Sequence, residues 1–206
     1  MDVQPLTAGR AGTGPLLASP VVSDEPLPAS TDGPDALVEA ALARLGIDHE
    51  LMPCDPALAD TATFCEAYGI DPADSANTIV VVAKEDPPRY VACVLLATTK
   101  LDVNRVVRRR LAARKASFAT AEETRALTGM EIGGVTAVGL PDALPVWVDA
   151  AVLGRQRIVL GGGSRRAKLV VDPAVLHRLP GVEVVEGLAV PIEPAAVAPA
   201  PVGEHA

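Results

Sequence analysis

The chain has very few aromatic residues, and this limits how its core can be built. Of 206 residues, 49% are apolar but only 2% are aromatic, so the core must consist of Val, Leu, Ala and Ile. The longest uncharged apolar runs, such as 78–83 and 90–97, contain six to eight residues. Runs of that length are typical of buried strands and too short to cross a membrane. The length is sufficient for one domain with its own core.

Cysteine is scarce and a secretory signal is missing. Cys54, Cys65 and Cys93 are widely spaced and form no CxxC motif, which favours reduced core thiols over a redox or metal role. The first 20 residues lack a basic start followed by a continuous apolar stretch. We therefore expect a cytoplasmic protein that does not associate with membranes.

The usual catalytic motifs are also missing. The sequence contains no GxSxG, no HExxH and no Walker motif. Its three histidines, His49, His177 and His205, are far apart and fall in a predicted strand, a predicted helix and the C-terminal tail. We expect neither a histidine-based catalytic dyad nor a zinc site, and no cofactor.

Compositional shifts divide the chain into a domain with two tails. Residues 1–34 and 190–206 are rich in Pro, Gly, Ser, Thr and Ala without apolar periodicity, which predicts disorder. Between them, at 35–189, helices are predicted after caps at Asp35, Asp102 and Thr120. Predicted strands outnumber helices and partly form hairpins, such as 78–83 with 89–96. The pattern indicates a mixed, largely antiparallel α/β sheet or half-barrel with surrounding helices.

Charge is unevenly distributed along the domain. The chain carries a net charge of −8, which argues against indiscriminate nucleic-acid binding and against DNA as a partner. Residues 100–115, however, contain seven basic residues against the single acid Asp102. This segment could bind a few phosphates, be a solvated helix face, or partly reflect an arginine-rich composition, with 14 Arg to 4 Lys. The phosphate-binding candidates are Arg105, Arg108, Arg109 and Lys115.

Two glycine clusters are the most informative local feature. The stretch 128–139, TGMEIGGVTAVG, precedes the apolar strand VWVDA and, further on, GGGSRR at 161–166. Glycines among β-branched residues allow positive φ and close approach of a ligand to the backbone. Backbone N–H groups in such a loop can bind a carbonyl oxygen or an oxyanion without a charged side chain. GGGSRR alone fits either an anion-binding nest or a tight turn between strands.

Taken together, these motifs resemble a known family. Leu101–Asp102 before a basic helix, AEE at 121–123, the two glycine clusters and VWVDA follow the order and spacing of the YbaK/EbsC-type domain. These aminoacyl-tRNA deacylases are related to the editing domain of bacterial prolyl-tRNA synthetase. The resemblance covers nearly all of 35–187. It implies a metal-independent, free-standing trans-editing hydrolase that cleaves the ester of a mischarged small amino acid on a tRNA(Pro)-type tRNA.

The resemblance also implies the site. Backbone N–H groups of the catalytic loop Gly133, Gly134, Val135 and Thr136 would bind the ester carbonyl, while water, oriented partly by the ribose hydroxyl, attacks it. The implied substrate-binding residues are Asn77, Thr128, Gly129, Ala137, Asp149, Gly161, Gly162 and Arg165. Asp149 would support the pocket, and Arg165 would face the nucleotide. The expected partners are aminoacyl-tRNA and, where substrate is delivered in a complex, an aminoacyl-tRNA synthetase.

Two residues depart from the family pattern. Asn77 occupies the position of a substrate-contacting lysine, and Ala137 replaces a proline that stiffens the glycine loop. Asn77 can still donate a hydrogen bond, but without charge. The alternative hypothesis is therefore a catalytically degenerate module of the same fold that binds tRNA or an aminoacyl group. A plain structural or protein-interaction domain would leave both glycine clusters unexplained.

Overall fold

A computed structural model describes residues 33–192 and shows a mixed α/β fold. Its helices are Pro34–Leu45 (α1), Thr61–Tyr68 (α2), Arg108–Arg110 (α3), Ala121–Thr128 (α4) and Ala150–Leu153 (α5). Its strands are Glu50–Pro53 (β1), Ala76–Ala83 (β2), Arg89–Leu96 (β3), Thr99–Leu101 (β4), Ala116–Phe118 (β5), Val146–Asp149 (β6), Ile158–Gly161 (β7), Ala167–Val171 (β8), Val182–Val185 (β9) and Ala189–Pro191 (β10). Short 3-10 turns occur at Pro56–Leu58, Pro72–Asp74 and Pro173–Arg178, and a π-helical turn at Val103–Val107 runs into α3.

The strands form a mixed sheet and two smaller sheets. The five-stranded sheet has the order β5-β2-β3-β6-β9, antiparallel from β5 to β3 and parallel from β3 to β9. A second, antiparallel sheet has the order β1-β8-β7, and β10 pairs with β4. The predicted hairpin is confirmed as β2 and β3, and with it the predicted mixed α/β class.

Alternation along the strands gives the five-stranded sheet two buried faces. Ala92 and Val94 of β3 face a core shared with α1 and the second sheet. Val91 and Cys93, one residue out of phase, face a smaller core that contains Val107. Successive side chains of a strand point to opposite faces, so β3 must be apolar on both. The basic segment is thereby placed on the outer side of the sheet, over the smaller core.

The predicted cap of α1 is wrong. The helix begins at Pro34, after Gly33, and Asp35 lies in its first turn. Proline is favoured at the first helical position because its φ is preset and its missing N–H would be unpaired there. The carboxylate of Asp35 instead accepts hydrogen bonds from Ser164.

The other two predicted caps are confirmed. The side chain of Asp102 accepts from the N–H of Arg105 at 3.0 Å, and Val107 is buried beneath the turn that follows. Thr120 accepts from the N–H of Glu123 at 3.1 Å, and the Glu123 side chain accepts from the N–H of Thr120 at 2.7 Å. This reciprocal arrangement is a capping box and fixes where α4 begins.

The predicted tails fall almost entirely outside the described residues. Only 33–34 and 190–192 of them are described, and β10 continues past the predicted boundary at 189 to pair with β4. Among the helices of residues 33–192, none has the length and apolar content needed to cross a membrane.

Candidate active site

The two glycine clusters pack directly against each other, backbone on backbone. The N–H of Gly163 donates to the carbonyl oxygen of Gly134 at 2.8 Å, and the N–H of Glu131 donates to the carbonyl oxygen of Gly163 at 2.9 Å. A Cβ added at Gly134 would lie 2.0 Å from the carbonyl oxygen of Ser164, and one at Gly161 would lie 2.2 Å from that of Gly134. Side chains at these positions are therefore excluded. The glycines are needed because the loop at 131–135 and the turn at 161–164 touch through their main chains.

Arg165 links the loop at 131–135 and the turn at 161–164 to the start of α2 through hydrogen bonds. Its Nε donates to the carbonyl oxygen of Pro56 at 2.8 Å, and its Nη1 donates at 3.2 Å both to Asp60 Oδ1 and to the carbonyl oxygen of Ile132. Its own N–H donates to Glu131 Oε2 at 2.9 Å. The guanidinium thus joins three segments that surround one opening.

A cavity of about 310 Å³ lies beside this assembly. It occupies the edge of β2 that β5 leaves open, since β5 pairs with β2 only at Val81–Ala83. The second sheet, the start of α2, α4 and the glycine loop complete the walls. The lining residues are Asp60, Thr61, Ser75, Ala76, Asn77, Thr78, Ile79, Val80, Ala119, Thr124, Ile132, Gly133, Val135, Val159, Leu160, Gly161 and Lys168.

Lys168 is the one lysine among these lining residues, and it is only 6% exposed. Its Nζ donates to the carbonyl oxygens of Ala59, at 2.8 Å, and Gly133, at 2.9 Å. It also lies 5.0 Å from the centre of the Phe64 ring. Burial lowers the pKa of this ammonium group, because desolvation disfavours the charged form.

The part of the lining that belongs to β2 carries two polar, uncharged side chains, Asn77 and Thr78. Asn77 Oδ1 accepts from the hydroxyl of Thr61 at 2.6 Å. The neighbouring Thr78 is 9% exposed, and its Oγ1 is the only buried side-chain nitrogen or oxygen atom of residues 33–192 without a hydrogen-bond partner. A buried hydroxyl without a partner is unfavourable unless a ligand or water completes it.

Comparison with known proteins identifies the fold and the family. A family model described as the aminoacyl-tRNA editing domain matches residues 55–179, more than half of the chain. The chain belongs to that family. The match begins just before α2, ends after β8, and includes the cavity and both glycine clusters.

Solved structures agree with this assignment. The editing domain superposes with a TM-score of 0.66 on a crystal structure described as a proposed trans-editing enzyme for prolyl-tRNA synthetase, at 25% identity over 76% of this chain and 98% of that chain. A hypothetical protein has the same fold, with a TM-score of 0.66 and 24% identity over 75% of this chain and 99% of that one. So does a scaffold used for epitope grafting, with a TM-score of 0.64 and 23% identity over 74% and 95%.

The editing domain brings four of the predicted site residues into the cavity lining: Asn77, Gly133, Val135 and Gly161. The N–H groups of Gly133 and Val135 have no acceptor among the described residues. Gly134 and Thr136 are not in the lining. The N–H of Gly134 donates to the carbonyl oxygen of Glu131 at 2.9 Å, and that of Thr136 points at Met130 Sδ, 3.4 Å away. Alternate residues of the loop therefore face the cavity and the interior.

Other predicted substrate-binding residues lie behind the cavity lining. The hydroxyl of Thr128 donates to the carbonyl oxygen of Thr124 at 2.7 Å and accepts from the N–H of Met130 at 3.1 Å. Gly129 ends α4 with φ of +70°. Ala137 belongs to the main core, and the N–H of Gly162 donates to Ala167. These residues shape the segment that carries the loop.

Asp149 is buried outside the lining, with both carboxylate oxygens engaged. Oδ1 accepts from the N–H of Ala151 at 2.9 Å and so caps α5, and Oδ2 accepts from the N–H of Ala189 at 2.8 Å. The carboxylate connects the end of β6 to the start of β10. The guanidinium of Arg165 also lies outside the lining, held as described above.

The predicted phosphate-binding residues form an exposed basic surface. Arg105, Arg109 and Lys115 are exposed and Arg108 is half-buried. Within the described chain, none of the four makes an ion pair, whereas the neighbouring Arg110 pairs with Glu183. Lys115 precedes β5, and Ala119, at the other end of that strand, lines the cavity.

The sequence analysis missed six polar residues of the cavity lining: Asp60, Thr61, Ser75, Thr78, Thr124 and Lys168. A signal existed for Lys168, because it is one of four lysines in the chain and begins the apolar run KLVV. Lysine is rarely buried without a function or a partner. In the part of the chain that the structure describes, no three His, Cys, Asp or Glu side chains are grouped so as to hold a metal ion.

Proposed function

We propose that this editing domain is a free-standing trans-editing hydrolase that removes a mischarged small amino acid from a tRNA(Pro)-type tRNA. The cavity would hold the aminoacyl group and the terminal ribose of the tRNA. The reaction needs no metal in this proposal, because positioning and backbone hydrogen bonds provide the stabilisation.

One observation carries the proposal: the unpaired N–H groups of Gly133 and Val135 in the cavity wall. Donors fixed by a rigid loop stabilise charge as it develops on an ester oxygen, and removal of one such donor typically costs about 10²- to 10³-fold in rate. The loop is rigid because the turn at 161–164 packs against it. A cavity of about 310 Å³ is at the small end for ligand sites, which favours a small amino acid.

The chemistry is hydrolysis of a carboxylic ester. The oxygen of water forms a bond to the ester carbonyl carbon, and the carbonyl oxygen becomes an oxyanion held by the loop. When the intermediate collapses, the bond between that carbon and the ribose oxygen breaks. One water proton ends on the ribose oxygen and the other leaves the new carboxylic acid for the solvent, so the products are the free amino acid carboxylate and uncharged tRNA. A ribose hydroxyl of the substrate orients the water.

The basic surface provides a path for the tRNA end. Lys115 and Ala119 are separated by β5, which corresponds to about 13 Å at roughly 3.3 Å per residue. A phosphate bound at the basic surface would thus be a few nucleotides from the ester. Arg105, Arg108 and Arg109 make no ion pair within residues 33–192 and are available for further phosphates.

The deciding assay offers the protein separate tRNA pools charged with each of several small amino acids and follows the loss of the ester. We expect one or more pools to be deacylated faster than in buffer, with or without EDTA. Gly134→Ala should abolish this activity, because its Cβ would clash with Ser164. Gly154→Ala is the matched control, since its Cβ would lie 3.5 Å from its nearest neighbour.

The competing function is a binding module without catalysis, consistent with the uncharged Asn77 held by Thr61. If the protein binds tRNA but leaves every ester intact, this second function is correct and the hydrolase is not. If Gly134→Ala folds and is fully active, the loop is not part of the mechanism.

A further inference from the structure

Lys168 has a buried ammonium group that forms no ion pair within residues 33–192. It lies in the middle strand of the second sheet, β8, opposite Met52 on one side and Gly161 on the other. Only 6% of it is exposed, and within residues 33–192 no carboxylate lies within ion-pairing distance. An isolated buried ammonium group is costly for a fold, so its retention calls for a functional reason.

The contacts of Lys168 leave one donor unused. An ammonium group has three N–H donors. Two are directed at the carbonyl oxygens of Ala59 and Gly133, and the face of the Phe64 ring contributes a further favourable contact. These partners favour the charged form and fix the direction of the group, and the third donor has no acceptor among the described residues. The remaining neighbour is the cavity that Lys168 lines.

The unused donor is close to the loop donors of the proposed reaction. Nζ lies 2.9 Å from the carbonyl oxygen of Gly133, and covalent geometry places the nitrogen of that residue within about 3.6 Å of the same oxygen. The ammonium and the N–H of Gly133 are therefore at most about 6.5 Å apart. Two donors that each bind one oxygen at about 2.9 Å are at most about 5.8 Å apart, which is comparable with this upper limit.

A second residue of the lining supports a polar ligand in this space. Thr78 Oγ1 on β2 lacks a partner although it is buried. Lys168 on β8 thus has an unused donor and Thr78 on β2 a hydroxyl without a partner, and both residues line the same cavity. An apolar occupant would leave the ammonium donor unsatisfied, whereas an ester offers it an acceptor.

We propose that Lys168 binds the carbonyl oxygen of the scissile ester through its free N–H and stabilises the oxyanion that forms on it, together with the loop N–H groups. This inference rests on the proposed hydrolase function and adds a catalytic residue to it. The lysine keeps its proton throughout, so the bonds that form and break are those already given. A further consequence is that the positively charged α-amino group of the substrate must point away from Lys168.

The pH dependence follows from the surroundings of the amine. Burial lowers the pKa of Lys168, with Cys54, Asp60 and Cys65 acting to raise it and Arg165 to lower it. The charged form exists below this lowered pKa. Activity that depends on it should therefore fall as pH rises, at a lower pH than for an ordinary lysine. Arginine stays charged throughout this range, so Lys168→Arg should remove the decline.

The test compares wild type with Lys168→Met, Lys168→Gln and Lys168→Arg on the aminoacyl-tRNA that the wild type deacylates, after subtraction of hydrolysis in buffer. We expect kcat to fall about 100-fold or more for Met and Gln, with KM within about threefold and a cooperative thermal transition that shows the variants to be folded. Lys168→Arg should retain more activity than Lys168→Gln, because glutamine keeps polar contacts but lacks the positive charge. Met or Gln variants within threefold of wild type in kcat would overturn the proposal.

A second measurement stands even where the variants do not fold. The wild-type rate, measured from about pH 7 upward, should decline at alkaline pH. A wild-type rate that stays level to about pH 10.5, where an ordinary lysine titrates, overturns the proposal. A wild type that deacylates no substrate overturns the hydrolase function and this inference together, whereas an active wild type with an equally active Met variant removes Lys168 alone.

Discussion

Ser164 donates two hydrogen bonds to Asp35, one from its N–H to Oδ1 at 2.7 Å and one from its hydroxyl to Oδ2 at 2.8 Å. The two residues are 129 positions apart in the sequence. This pair of bonds attaches α1 to the glycine turn that supports the proposed catalytic loop. The first helix of the domain therefore contributes to the site although it has no residue in the cavity.

Removal of the Asp35 carboxylate should weaken the fold. Asp35→Ala takes away an acceptor of two hydrogen bonds and leaves the buried Ser164 without partners for them. We expect the free energy of unfolding to decrease by about 2 to 3 kcal/mol, as is typical of hydrogen bonds to charged groups. Urea unfolding measures this, with Glu39→Ala on the same helix as the control. Equal unfolding midpoints for the two variants would contradict the assigned role.

The basic surface should control tRNA affinity through charge alone. Replacing both Arg108 and Arg109 by Ala should weaken tRNA binding and reduce the slope of log K against log salt by about 1 for each phosphate that the protein no longer neutralises. Filter binding at several salt concentrations gives both values. Arg44 and Arg157, replaced together, form a control with the same change in net charge. If the two double variants behave alike, the arginines at 108 and 109 are only a solvated face.

The capping box at α4 should make part of the stability depend on pH. Thr120→Ala removes the side-chain acceptor and should cost about 1 kcal/mol, whereas Thr98→Ala, at an exposed position whose side chain makes no hydrogen bond within residues 33–192, should cost little. The hydrogen bond from the Thr120 backbone lowers the pKa of Glu123 below its usual 4.5. The charged form is thus favoured by folding, so its contribution is present above pH 4.5 and is lost as pH falls through the lowered pKa. Glu123→Gln and wild type should differ in unfolding free energy at neutral pH and converge in acid.

The cysteine thiols should be unreactive while the protein is folded. All three are free and buried, as predicted for core thiols. Burial raises the pKa of Cys93 to about 12 from 9.0 and also raises those of Cys54 and Cys65. Since the thiolate is the nucleophile, iodoacetamide at mildly alkaline pH should leave Cys93 intact in the native protein and modify it after unfolding, as mass spectrometry would show. Rapid native labelling would be the contrary result.

The same burial of Cys93 has a consequence for stability in base. Folding favours the neutral thiol, so its contribution is complete below pH 9.0 and is lost as pH rises towards about 12. Cys93→Ala, compared with wild type by urea unfolding, should therefore show a difference that shrinks over this interval. A constant difference would mean that the thiol titrates normally.

The sequence was a good guide where local rules decide the structure. The caps at Asp102 and Thr120, the β2–β3 hairpin and the two glycine clusters each depend on residues within a few positions of one another. The Asp35 cap failed because its carboxylate binds Ser164, a partner that no local rule identifies. The parallel pairing of β3, β6 and β9 was equally hidden, since an apolar strand fits any apolar neighbour.

The residues of the candidate site also differ in whether local sequence rules could predict them. The sequence located Gly133 and Gly161 in the cavity because backbone freedom can be recognised from glycine spacing. It did not find Lys168, whose burial depends on β8 lying between β1 and β7. It also could not distinguish Gly133 and Val135, which line the cavity, from Gly134 and Thr136, which face the interior. That alternation arises from the hydrogen bonds to Glu131 and Met130 inside the folded loop.

The close approach of Gly134 to Gly161 positions the glycine loop but does not determine which amino acid the cavity accepts. A junction made of main-chain atoms presents the same groups to every substrate, so it cannot by itself distinguish one amino acid from another. Discrimination in the proposed reaction has to come from the side chains on the remaining walls, among them Asn77 and Ile132. Exchanging these two should alter which ester is cleaved while the glycine frame and Lys168 stay intact.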